Sequence, residues 1–284
     1  MSAAPRFSVS EFSTLNLSWE QDLAAFAAGG AGGIGIAEAK LAEGRDGESL
    51  EQLRASGLKA TICLPAALSI LPNALGPEPL EPEARVESLV GSIRRLARFE
   101  PEMVMFLTGV PGELDPAEAR RIVVEAVREL GRVGREAGVR VGLEPIHRSA
   151  KAEFTIVTDL PEAEALLDEA GDDSVGILFD TWHLWDTPDV LEHARRLAHR
   201  FPVVHVNDWR EETRHWDDRA LPGEGIMDLP AILGALEAGG FDGWFDMEIF
   251  SAETYPDSLL KLDPVELVRR GREGFLRAWE ARRA

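Results

Sequence analysis

Along the chain, short apolar runs alternate with longer stretches whose apolar residues recur at helical spacing. Arg6 to Val9 opens a first strand. Trp19 to Ala28 reads as a first helix, and Ser18 with Gln21 has the form of a capping box. Gly35 to Glu38 predicts a second strand and Ser49 to Ala55 a second helix. Leu58 to Leu64 predicts the third strand, and Glu83 to Phe99 the helix after it. Between them runs a proline-rich loop, Pro65 to Pro82, long for a compact domain and therefore a candidate lid. The later units are cleaner. Met103 to Leu107 pairs with the helix Pro116 to Ala137, Val139 to Glu144 with Leu160 to Glu169, and Val175 to Asp180 with Pro188 to His199. Val203 to Asp208 is followed by Leu229 to Ala238, and Gly243 to Ile249 by Pro264 to Trp279.

Strict strand–helix alternation calls for parallel strands joined by crossover helices. Eight such units favour an α/β fold of one closed (β/α)8 barrel over an open doubly wound sheet, and 284 residues is an ordinary length for one. The glycine run Gly29 to Gly33 precedes a strand instead of joining a strand to a helix, so it is a helix stop and turn, and no dinucleotide fingerprint is present. No composition break marks a boundary, so one domain is expected over residues 1–284, with Glu280 to Ala284 fraying.

Composition narrows the partners. The formal net charge of −20 repels phosphate backbones, which makes nucleic acid a poor partner. The single cysteine, Cys63, lies in a strand-like run and reads as a small buried hydrophobe. Met1 to Ser10 lacks a run of signal-peptide length, and no segment approaches the roughly 20 apolar residues of a membrane span. The expectation is a soluble cytoplasmic protein with no membrane partner. A homo-oligomer is compatible with the sequence but not specified by it.

Four polar residues stand at the carboxyl ends of the last four strands: Glu144, Asp180, His205 and Glu248. In a closed barrel these ends converge on one mouth, where such barrels carry their active sites. Any one of them alone would more often be a cap, an ion pair or a satisfied core residue. Three carboxylates brought together repel unless a cation joins them. Three carboxylates and an imidazole form a mostly hard donor set, which favours Mn²⁺, with Mg²⁺ or Co²⁺ also suited, over Zn²⁺. Glu38, at the tip of the second strand, is placed to reach a substrate or to serve as a cap or ion pair. Trp182, Trp185, Trp209 and Trp216 crowd the loops after strands six and seven, where they suit either ring stacking or packing.

The strings Leu143 to Arg148, Phe179 to His183, His205 to Asp208 and Met247 to Phe250 resemble the xylose isomerase-like barrel superfamily of sugar isomerases and epimerases. The resemblance spans nearly the whole chain and is strongest from Gly142 to Phe250. It implies that Glu144, Asp180, His205 and Glu248 hold one divalent metal ion, and that Glu144 and Glu248 act as acid and base on opposite faces of the substrate. It implies substrate contacts for His183 and for Arg219, which lies in the segment Asp218 to Gly225. Ketohexose epimerases and hydroxypyruvate isomerases often carry Asn where this chain has His147, which is therefore a substrate contact or a loop-backbone partner. The implied activity is isomerisation or epimerisation of a keto-sugar or related polyol through an enediolate. Elimination from a keto-inositol, as in inosose dehydratases, is the alternative, and a non-catalytic sugar-binding barrel a more distant one. An apurinic-site endonuclease, which shares the fold, uses zinc clusters with many histidines and fits neither the histidine supply nor the charge.

Overall fold

The computed structural model describes residues 4–282. Eight parallel strand positions form one ring: β1 (Arg6–Ser10), β2 (Gly33–Ala37), β3 (Lys59–Leu64), β4 (Met103–Phe106), β5 (Arg140–Leu143), β6 in two pieces (Gly176–Ile177 and Phe179–Asp180), β7 (Val203–Val206) and β8 (Trp244–Met247). β1 pairs with β8 and so closes the ring on one side. The first piece of β6 pairs with β5 and the second with β7, while the Leu178 amide between them donates to the Leu143 carbonyl at 2.9 Å. Sequence alone predicts β6 as one run; the structure divides it at Leu178, whose amide still bonds to β5.

Eight long helices wrap the ring: α1 (Trp19–Ala28), α2 (Asp46–Ser56), α3 (Pro82–Leu96), α4 (Pro116–Ala137), α5 (Leu160–Ala170), α6 (Val190–Leu197), α7 (Leu229–Ala238) and α8 (Pro264–Ala281). The predicted capping box at α1 is present, with Ser18 and Gln21 each accepting the other's backbone N–H. α2 starts at Asp46, before the predicted Ser49, since Asp46 and Glu48 in its first turn suit the positive end of the helix dipole. Glu280 and Ala281 still belong to α8; the remainder of the expected fraying, at residues 283–284, lies outside the described residues.

Successive strand residues point to opposite faces, so each strand feeds two cores. Outward residues such as Val9, Ile36, Val104, Val206 and Phe245 pack against the helices. Inward residues Ile62, Met103, Met105, Leu178 and Val203 plug the barrel. The same alternation sends Glu144, Asp180, His205 and Glu248 inward, in phase with Leu178, Val203 and Asp246. β2 begins at Gly33, earlier than predicted, and its glycines are needed there. A Cβ at Gly35 would meet Asp246 Oδ2 at 2.8 Å.

At the first strand tip Glu11 is buried, with Oε2 accepting the Ala37 amide at 2.8 Å. Burial and then the neighbouring Asp22 push its pKa well above the usual carboxylate value, against the pull of Lys40. Lys40 itself binds Asp22 and the Thr14 carbonyl. The long loop between β3 and α3 is stitched down. Leu107 donates to Leu68, and Ile70 and Leu71 donate to Leu107 and Thr108. Arg85, 1% exposed, donates to the carbonyls of Ser69, Gly76 and Pro79. Gly109, at φ +74°, lets the β4 connection pass Leu71; a Cβ there would lie 2.0 Å from the Leu71 carbonyl oxygen.

Candidate metal centre

The four ligand candidates come from four consecutive strand positions. Glu144 directly follows β5, Asp180 ends β6, His205 sits within β7 and Glu248 directly follows β8. Strand register places Asp180 and Asp246 on either side of His205. All four are buried, and each offers one ligand atom within 4.8 Å of the others. His205 Nδ1 lies 3.3 Å from Glu248 Oε2, 3.6 Å from Glu144 Oε1 and 3.8 Å from Asp180 Oδ2. Neither His205 Nδ1 nor Glu144 Oε1 has an aligned hydrogen-bond partner. Buried polar atoms left this way are rare and call for an ion, water or ligand. Three inward carboxylate oxygens and one ring nitrogen therefore fit a divalent cation, and this buried group is able to bind one.

The surrounding chain aims these donors. Asp180 Oδ1 accepts the Trp182 amide at 2.7 Å and Asn207 Nδ2 at 2.9 Å, which leaves Oδ2 facing the centre. Thr181 donates in turn to Asn207 Oδ1 at 2.7 Å. Behind His205, Nε2 faces Asp246 Oδ2 at 3.6 Å, and neither atom has another partner. Asp246 Oδ1 is fixed by the hydroxyls of Ser8 (2.5 Å) and Thr61 (3.2 Å). Such carboxylate–histidine pairs set the tautomer of a metal-ligating imidazole. Asp246 was not among the sequence-predicted site residues. Its signal was there: it lies two residues before Glu248, and a charged residue in phase with a strand-end ligand points into the barrel.

Electrostatics follow from burial and crowding. Burial raises the Glu144 pKa to about 7, with His205 opposing and Glu248 and Asp180 reinforcing. Burial also works against ionisation of Asp180, but Arg219, His183 and His205 outweigh it and hold this carboxyl well below its usual range. His205 is desolvated too, yet Glu248, Asp180 and Glu144 raise its pKa well above that of free imidazole. Burial lifts Asp246 to about 6 against the opposing His205.

His183 and Arg219 both reach the centre. Arg219, 2% exposed, places Nη1 at 2.8 Å from Asp180 Oδ2 and 3.1 Å from Glu248 Oε2, and Nη2 at 3.2 Å from His183 Nε2. Its Nε is buried without a partner. His183 Nδ1 faces the His147 amide at 3.1 Å, and Nε2, beside the Arg219 guanidinium, lies 3.7 Å from Asp180 and 4.0 Å from Glu144. Burial pushes the His183 pKa down to about 3, and the ring is neutral at ordinary pH.

The structure does not bring His147 and Glu38 to the centre as substrate contacts. His147 engages Ser149 Oγ (2.7 Å) and Asp186 Oδ1 (3.2 Å) with its two ring nitrogens, and only its backbone touches His183. Glu38 accepts the Ala66 amide at 2.9 Å and Arg95 at 3.2 Å. Both residues have the loop-backbone and ion-pair roles that their types allow. Trp182 and Trp209 stack on each other with centroids 4.3 Å apart, and Trp185 lies 5.6 Å from Trp209. Of the four predicted mouth tryptophans only Trp216 lines the pocket, beside Phe12, Phe154 and Phe250.

A family model described as a xylose isomerase-like TIM barrel matches residues 23–279. An inosose isomerase of Bacillus velezensis is 26% identical over 160 residues, 55% of this chain and 54% of that protein. The chain thus matches about half the length of such curated relatives. The structure of protein SMc04130 from Sinorhizobium meliloti 1021 superimposes with a TM-score of 0.85 at 25% identity, covering 96% of this chain and 98% of that one. The IOLI protein, solved with a bound zinc atom, gives a TM-score of 0.77 at 20% identity over 96% of this chain and 97% of its own. With eight strand–helix units and a family match over residues 23–279, the chain belongs to the xylose isomerase-like TIM barrel family.

Proposed function

We propose that this protein is a divalent-metal-dependent isomerase or epimerase of an α-hydroxy ketone such as a keto-sugar or related polyol, with Glu144 and Glu248 exchanging the α-proton. One observation carries the reading: two glutamates from different strands meet at one buried centre in unequal environments. Glu144 Oε1 has no hydrogen-bond partner, whereas Glu248 Oε2 is held by Arg219. A cation held by Glu144, Asp180, His205 and Glu248 supplies Lewis-acid polarisation of a carbonyl and its neighbouring hydroxyl. Mn²⁺ suits the oxygen-rich donor set, and the zinc in the IOLI structure makes Zn²⁺ the metal to compare against it.

The chain's own groups do the rest. Glu144 takes the proton from the carbon beside the carbonyl and leaves an enediolate. Glu248, hydrogen-bonded by Arg219, returns a proton to the opposite face or to the neighbouring carbon. Neutral His183 and the Arg219 guanidinium, which both line the pocket, orient substrate oxygens. Phe12, Leu68 and Phe250 wall the space beside the two glutamates with apolar surface, which lowers the local dielectric around the bases.

The test separates exchange from turnover. In deuterated buffer with Mn²⁺, Glu144→Gln and Glu248→Gln are followed for deuterium uptake and for product, with metal content measured for each. Product formation should fall by about 10²- to 10⁴-fold in each. Undiminished turnover in both metal-loaded variants refutes the pair. Recovery of an unsaturated ketone assigns elimination instead.

A further inference from the structure

The space above the ligands has two parts. The part floored by Glu144, His183, Arg219 and Glu248 is small, ≈ 40 Å³, room for about three water-sized groups. It opens into a larger cavity of ≈ 410 Å³. Phe12, Leu64, Leu68, Leu75, Trp216 and Phe250 line both, so the two are one trough with a polar floor at one end. None of these six offers a free hydrogen-bonding group, since the Trp216 indole N–H already donates to Glu153 at 3.3 Å.

At the far end Asp217 accepts the Tyr255 hydroxyl at 2.8 Å, and the Ser251 hydroxyl accepts the Leu259 amide at 3.0 Å. No lysine or arginine lines the larger cavity, while Asp217 and the exposed Glu253 do. Leu15 and Leu75, which also line it, stay 55% and 49% exposed. With the apolar walls they share, these leucines make one contiguous apolar surface, the kind that marks a binding groove.

We infer that, among the α-hydroxy ketones proposed above, the substrate is one with few further hydroxyls: a compact, uncharged head seated on the metal centre, joined to a mainly apolar body lying in the larger cavity. The head's place rests on the reading of the centre given above; the body's chemistry rests on the walls. A polyhydroxylated body would find acceptors only at the Asp217 and Glu253 end of the cavity; elsewhere its hydroxyls would press against leucine and phenylalanine, and each one left without a partner weakens binding by roughly tenfold. A phosphate or carboxylate on the body would meet Asp217 and Glu253 and no cation.

The experiment uses a homologous series sharing one head: hydroxyacetone, 1-hydroxy-2-butanone, 1-hydroxy-2-hexanone and 1-hydroxy-2-octanone. Fructose serves as the polyol matched to hexanone in head and carbon count. Binding is measured by calorimetry with and without Mn²⁺, and deuterium exchange at C1 and, in fructose, also at C3 is measured separately. Affinity should rise by about fourfold for each methylene the cavity covers, 1-hydroxy-2-hexanone should outbind fructose, and Leu75→Asn should flatten the series. A flat series, or tighter binding of fructose, overturns the inference whether or not exchange occurs. A rising series without exchange keeps the inference and removes the proposed reaction. Exchange with fructose, combined with a flat series, keeps the reaction and removes the inference.

Discussion

The two halves of the barrel ring carry the same residue type at their tips and use it differently. In the half from β1 to β4, Glu11 and Glu38 stand at strand tips with backbone amides on them and Lys40 or Arg95 nearby. In the half from β5 to β8, Glu144, Asp180 and Glu248 converge on His205. A strand-tip glutamate is therefore not a ligand by position alone. It becomes a candidate ligand when neighbouring strands aim further donors at the same point and leave some of them unsatisfied.

The sharpest way to break this contrast is to remove one acid from each half. Asp180→Ala should abolish stable metal binding, read as metal per chain after dialysis. Glu38→Ala should leave metal content unchanged and lower stability by about 1 kcal/mol or less, because its Arg95 pair is partly exposed. Metal loss in the Glu38 variant, or full occupancy in the Asp180 variant, would erase the distinction between the halves.

A smaller effect is expected one layer behind the ligands. Asp246→Asn keeps the shape and the Ser8 and Thr61 contacts but no longer presents a carboxylate to His205 Nε2. Metal affinity should fall by about 10- to 100-fold. The ring-nitrogen NMR signals of His205 should show the proton moving between Nδ1 and Nε2, a change that mere loosening of the core would not produce. Unchanged affinity and unchanged signals would make Asp246 a filler of the barrel interior.

The smallest effect concerns the other half. The folded-state pKa of Glu11 is raised, chiefly by burial. Between its unfolded value near 4.5 and its raised folded value, the folded protein holds a proton that the unfolded chain has released, so stability declines as pH rises through that window. Glu11→Gln removes this dependence and can still accept the Ala37 amide. Its melting temperature should match the parent below about pH 4 and exceed it at pH 8. A less stable variant at pH 8 would show that Glu11 works there as an anion paired with Lys40.

The eight units were legible in the sequence because they follow from local periodicity, and the four candidate ligands because they stand at the carboxyl ends of the last four strands, in strings that resemble the family's. Alternation in β5, β7 and β8 marks Glu144, His205 and Glu248 as inward, and the helix signals are strong at Asp115 with Pro116 and at Ser18 with Gln21. Contacts between distant segments were not legible. Arg219 is claimed by Asp180 and Glu248 rather than left free for substrate alone, His147 is turned away by Asp186, and three of the four tryptophans pack together. The apolar trough is built from the ends of β3 and β4 and from several loops, so no single stretch of sequence displays it.

The Arg85 clamp has a consequence for how fast anything enters the mouth. A loop whose carbonyls are gathered by one buried guanidinium, and whose backbone is laddered onto the residues after β4, has lost its freedom at folding and not at encounter. The wall it carries, with Leu68 and Leu75, stands ready before a ligand arrives. Ordering side chains during association typically costs about 0.5–1.5 kcal/mol each, and a prebuilt wall avoids much of that. Capture at this mouth is therefore set by diffusion to an open door, and residence by how much apolar surface the visitor leaves behind in the trough.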